Sequence, residues 1–136
     1  MSESSNTKLR STTPILTVND IGASVAWYRD VVGLELAQEW KTEGGQVMGA
    51  TMTAGDFNFN LAQDDFAKGR ERAKGVGFRV YCETDQDVDD LAAAIKARGG
   101  NLDHEPTTQP WGARDFGVTD PDGFKISIAN PPAASA

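Results

Sequence analysis

The strongest constraint in this chain is that one order of elements is written twice. Residues 15–18 (Ile-Leu-Thr-Val) read as a short strand. Asn19 or Asp20 then caps a helix in which Ile21, Val25, Tyr28 and Val32 recur at about 3.6 residues, the helical period. Gly33 stands where a helix end favours a left-handed residue. Three strand-like segments follow at 35–40, 46–54 and 57–63, parted by Gly44-Gly45 and Gly55-Asp56. The second pass opens with a strand at 76–82, and Thr84 with Asp87 three residues later has the form of a capping box. Val88, Leu91, Ala92 and Ile95 make the next helical stripe, stopped by Gly99-Gly100. Strands are expected at 101–105, 114–119 and 125–130. The last two are joined by Asp120-Pro121-Asp122-Gly123, a tight turn in which proline presets φ and glycine supplies a positive one. The unit is βαβββ, twice, which defines an α+β fold.

A chain of 136 residues fits one domain. The expected division is an unstructured arm at 1–12, a domain at 13–130 and a flexible tail at 131–136. Within the domain, modules 13–63 and 75–130 are joined by a charged connector, 64–74.

Charge and composition exclude several classes of partner. The net charge is −7, and the densest basic stretch, Lys68 to Lys74, is short and broken by Glu71. Nucleic-acid binding draws on clustered cations, so none is expected. No apolar run approaches the roughly 18 residues of a membrane span, and residues 1–13 do not read as a signal peptide. The one cysteine, Cys82, has no partner for an intrachain disulfide. A cytoplasmic protein is the expectation.

With these elements in place, the chain resembles the vicinal oxygen chelate superfamily: glyoxalase I, bleomycin-resistance proteins and ring-cleaving dioxygenases. In the first module the resemblance rests on Val18-Asn19-Asp20-Ile21, Ser24, Trp27-Tyr28 and Val32-Gly33-Leu34. In the second it rests on Gly75-Val76-Gly77-Phe78-Arg79-Val80, Pro110-Trp111-Gly112-Ala113-Arg114-Asp115-Phe116 and Asp120-Pro121-Asp122-Gly123. It implies that each module curls into a half-barrel with its helix outside, and that two modules enclose a cavity, often across a homodimer. It also implies that metal-dependent members take one His, Glu or Gln ligand from each of four strands. Carried onto this chain, those positions fall on Thr13, Asn60, Gly77 (Val76 if the register slips) and Ser127. None is a histidine or a carboxylate, and neutral hydroxyl and amide oxygens hold a transition metal poorly. No metal and no other cofactor is therefore expected.

His104 is the only histidine, and simple alternation sends its neighbours Asp103 and Glu105 to the opposite face. It reads as a surface histidine rather than a ligand or base. Cys82 falls on the core side of its strand, away from any activating base. No catalytic residue is assigned.

If the carried-over positions face the cavity, alternation sorts the rest. Thr13, Ile15, Thr17, Asn58, Asn60, Arg79, Tyr81, Lys125, Ser127 and Ala129 face in. Trp40, at a strand end, and Trp111, in a loop, suit stacking on a planar ligand as well as they suit covering a neighbour. Trp27 belongs to the core. Met48 alternates with Ala50 and Met52, as pocket lining or as filler. Arg114 could hold a carboxylate in two bonds or form a surface ion pair, Asp115 being the nearest candidate.

The ligand-binding set is thus Trp40, Met48, Asn58, Asn60, Arg79, Trp111, Arg114 and Ser127. The expected function is metal-independent binding of an aromatic or planar small molecule, as in the bleomycin-resistance branch, by a homodimer. The alternatives are a lyase, isomerase or dioxygenase of the same superfamily with non-standard metal ligands, and a non-catalytic regulatory domain. Two charge cues diverge: the acidic surface favours cationic compounds, whereas Arg79 favours an anionic or acceptor-rich group.

Overall fold

A computed structural model describes residues 6–133. Part of the expected arm (1–5) and of the expected tail (134–136) lies outside the described residues.

The first module comprises β1 (Ile15–Val18), α1 (Ile21–Ala26), β2 (Glu35–Lys41), β3 (Val47–Ala54) and β4 (Phe57–Gln63). The second comprises β5 (Arg79–Glu83), α2 (Val88–Ala97), β6 (His104–Thr108), β7 (Arg114–Thr119) and β8 (Lys125–Asn130). Each forms a four-stranded sheet with the same order, β1-β4-β3-β2 and β5-β8-β7-β6. In both, the first strand runs parallel to the last, a crossover that requires the intervening helix. The expected α+β fold of two βαβββ modules is the fold observed.

Local chemistry explains the element ends. Asp20 caps α1, its carboxylate accepting from Ala23 N at 3.1 Å. Beyond Ala26 the helix loosens into a π-helical stretch, Trp27–Val32, closed by Gly33 at φ +96°. The stripe Ile21, Val25, Tyr28 and Val32 stays buried through that change of pitch. Sequence periodicity does not register the wider turn.

Three expected boundaries need correction. The strand expected at 76–82 begins only at Arg79, because Gly75 and Gly77 have positive φ and Phe78 N closes a turn on Gly75 O. The strand expected at 101–105 is instead His104–Thr108. The cap of α2 is Asp87, which accepts from Asp89 N and Asp90 N, while the Thr84 hydroxyl accepts from Gln86 N in a local turn.

One core runs through both modules. Leu16, Val18, Met52, Phe59 and Leu61 pack under α1, and Val80, Phe116, Val118 and Ile126 under α2. The modules are tied by specific bonds as well as by apolar burial. The Arg98 guanidinium donates to the carbonyls of Val31 at 2.9 Å and Val32 at 3.0 Å, satisfying the open end of the π-helical stretch. The Tyr28 hydroxyl reaches Asp120 across the join. In the connector, Lys74 Nζ donates to Asp64 Oδ2 at 2.7 Å and to Asn19 Oδ1 at 2.8 Å.

Candidate functional site

Because side chains alternate along a strand, each sheet has a face against its helix and an open face. The open faces carry most of the expected site residues. In the first module, register places Ile15 beside Asn60 and Asn60 beside Thr51, whose hydroxyl donates to Asn60 Oδ1 at 2.8 Å. Asn58 lies two residues along and is exposed. Trp40 pairs with Gly49, and a Cβ on that glycine would come within 3.0 Å of the indole. The indole therefore lies over the glycine, on the open face.

In the second module one cross-strand row runs His104, Gly117, Ser127, Tyr81. Arg79 Nη1 donates to Ser127 Oγ at 2.9 Å, and Lys125 is on the same face. His104 Nε2 lies 3.1 Å from Asp115 Oδ1, which also accepts from Gln109 Nε2 at 2.9 Å. A Cβ on Gly117 would lie 3.4 Å from His104 Cε1 and 3.5 Å from Asp103 Oδ2. Asp103 and His104 thus converge on one glycine, against the expectation that they diverge. The chain bends at Asp103 before β6 begins, so strict alternation does not apply there. Glu105 does point away, to Lys96 on α2 at 2.9 Å.

Three other site residues, and Cys82 outside that set, are placed as follows. Met48 is half-buried at a bulge, where the pairing passes from Trp40–Gly49 to Lys41–Val47, so alternation with Ala50 and Met52 does not fix its face. Arg114 is on the helix side of β7 and grips Asp89 of α2 through two 2.8 Å bonds; it is neither free for a ligand nor paired with Asp115. Trp111 is 63% exposed on the β6–β7 turn. Cys82 faces the core, where burial pushes its thiol up to about 11, so it is no nucleophile at neutral pH.

The residues at the family's metal positions do not fit a metal. Thr13 is exposed and precedes β1, and Gly77 sits in the turn before β5. Asn60 Oδ1 is engaged by Thr51, and Ser127 Oγ holds a guanidinium, a fixed positive charge where a cation would have to sit. Among the described residues no three His, Cys, Asp or Glu side chains come together as a ligand set.

Both open faces are uncovered within one chain: Ile15 is 64% exposed, Tyr81 48% and Trp40 45%. Patches of that kind mark binding surfaces. Among the described residues no helix is long and apolar enough to cross a membrane.

Two repeated βαβββ modules with uncovered sheet faces define a fold class that hosts several chemistries on one scaffold. The chain belongs to the Glyoxalase/Bleomycin resistance protein/Dioxygenase superfamily, whose family model matches residues 9–128. Among solved structures it is similar to TioX from Micromonospora sp. ML1, with a TM-score of 0.69 and 20% identity, covering 88% of this chain and 98% of that one. A glyoxalase-related enzyme from Clostridium phytofermentans has a TM-score of 0.70 at 18% identity, covering 92% and 97%. A protein of unknown function from Agrobacterium tumefaciens str. C58 has a TM-score of 0.67 at 26% identity, covering 92% and 96%. Among curated proteins, the lactoylglutathione lyase GLX1 of Arabidopsis thaliana is 23% identical over 125 residues, 84% of this chain. The chain spans 41% of the length of that relative and 42% of a putative lactoylglutathione lyase from Brassica oleracea var. gemmifera.

Proposed function

We propose that this protein is a metal-independent binder of an aromatic or planar small molecule that carries an anionic or acceptor-rich group. The observation that carries the reading is the Arg79–Ser127 hydrogen bond of 2.9 Å. It sets a positioned guanidinium on the open face at the place where metal-dependent relatives would need a carboxylate. A ligand carboxylate can take the remaining guanidinium donors. Asn58, Asn60 and Tyr81 offer further polar contacts, while Trp40 and Trp111 supply aromatic surface. Since each open face is uncovered in one chain, the site is completed by a second copy, giving a homodimer in which the sheets face one another. Cytoplasmic residence accords with a single unpaired cysteine.

The test combines metal analysis of protein purified without chelator and a tryptophan-fluorescence titration with 1-naphthoate. The reading expects naphthoate to quench saturably and Fe, Ni, Zn and Mn to be far below stoichiometric. About one equivalent of any of them per chain would reverse it.

One observation favours a second reading, an enzyme of the same superfamily. Asp115, buried behind His104, would accept from Nε2–H and leave Nδ1 as a proton acceptor on the open face. Turnover of a carbonyl or enolisable substrate that is lost in His104→Gln would establish it. A non-catalytic regulatory domain is the outcome if no small molecule binds either face.

A further inference from the structure

A second cavity lies away from both open faces. Where the modules meet on their helix sides, a cleft of about 900 Å³ is walled by residues of both. That volume is within the range of drug-sized sites. Leu34 and Phe57 from the first module, and Cys82, Leu91 and Ile128 from the second, line it while only half-buried. Apolar side chains therefore meet water inside a concave space.

The polar rim has one sign. Glu35, Asp56, Glu83 and Asp85 line the cleft and are exposed, and no lysine or arginine lines it. No ion pair among the described residues uses any of these four carboxylates. Arg98 lies behind Gly33, its charge retained while it donates to the neutral Val31 and Val32 carbonyls, so four carboxylates stand against one cation set back from the wall. Carboxylates gathered around a low-dielectric wall focus their field into the cleft. Phe57 and Phe59 stack there at 5.5 Å with an interplanar angle of 29°, and ring faces attract cations.

We propose that this intermodular cleft binds a lipophilic aromatic cation of drug size, at a site separate from the Arg79 face. The two charge cues in the sequence then belong to two places. Arg79 and Lys125 lie on the open face, while Glu35, Asp56 and Asp85 border the cleft together with Glu83, which ends the Arg79–Tyr81 row of β5. The cation keeps its charge near the rim and buries its rings between the modules; no bond is made or broken.

The test uses two ions of one shape and opposite charge, tetraphenylphosphonium and tetraphenylborate, titrated calorimetrically into the full chain. The phosphonium should bind about tenfold or more tightly than the borate, and the gap should shrink as salt screens the rim. Leu91→Trp fills the cleft without altering any charge and should abolish phosphonium binding. Arg79→Leu and Trp111→Ala should leave that binding unchanged, which separates this site from the open-face reading. Equal affinity for the two ions would overturn the proposal. So would phosphonium binding that survives Leu91→Trp.

Discussion

Tyr28 Oη donates a 2.7 Å hydrogen bond to Asp120 Oδ2, joining the π-helical stretch of the first module to the tight turn of the second. Both side chains are buried, and Asp120 also accepts from Asp122 N and Phe124 N. Burial, with Asp120 alongside, holds the Tyr28 phenol far above its ordinary range. Burial likewise raises the Asp120 carboxyl, against the pull of its three donors. Tyr28→Phe should cost about 1–3 kcal/mol, because a buried acceptor loses one partner. The sign of the alkaline effect follows from the raised phenol. Its stabilisation is complete below the unfolded tyrosine value of about 10 and is lost as pH rises beyond it. Thermal midpoints measured between pH 8 and 11 should therefore fall less steeply in Tyr28→Phe than in the native chain.

The turn before β5 offers a matched pair of glycines. Gly75 has φ +76°, and a Cβ there would collide with the Gly123 carbonyl. Gly77 has φ +71° and nothing within 4 Å. Gly77→Ala should cost about 1–2 kcal/mol from backbone conformation alone. Gly75→Ala should cost clearly more, since main chain must shift as well. Urea unfolding midpoints rank the two, and equal losses would refute the close approach.

Asp64 and Lys74 form a buried pair at 2.7 Å, with Arg72 at 3.3 Å from the same oxygen. The Lys74 bond, then the Phe66 amide, hold the Asp64 carboxyl below its usual range. Its contribution is complete above the unfolded value of about 3.9 and disappears as pH falls through the lower folded value. Asp64→Asn should thus flatten the acid limb of the stability curve. Lys74→Met should destabilise more than the Asp64→Asn/Lys74→Met double variant, because it leaves the buried carboxylate with only the longer Arg72 contact as its cation.

Two arginines separate site from scaffold. Arg79→Leu should weaken 1-naphthoate binding by about tenfold or more, the scale of one charge-assisted hydrogen bond. Arg114→Leu should leave affinity unchanged and lower the thermal midpoint slightly, since Arg114 serves Asp89 at the start of α2. Similar losses of affinity in both would contradict the open-face assignment.

Period-two alternation and glycine punctuation made the strands legible. β1 and β4 match their expected limits, as do the burial of Leu16, Val18, Phe59 and Leu61 and the open-face placement of Arg79 and Tyr81. Alternation also held the answer for Arg114 and Asp115, whose opposite faces forbid their pairing. What escaped the sequence depends on distant segments or local irregularity. The bend at Asp103 brings that carboxylate beside His104, and the β2–β3 register lays Trp40 over Gly49. The acidic cleft exists only through the packing of one module against the other.

Each half leaves a notch in its third strand, at different heights: Gly49 pairs with Ala62, two residues beyond Asn60, whereas Gly117 pairs with Ser127. They roof it differently, with an indole in the first and an imidazole backed by a carboxylate in the second. A guest spanning the two halves would meet a greasy end and a hydrogen-bonding end. The repeated βαβββ scaffold thus carries polarity, so that head and tail of an elongated molecule become distinguishable.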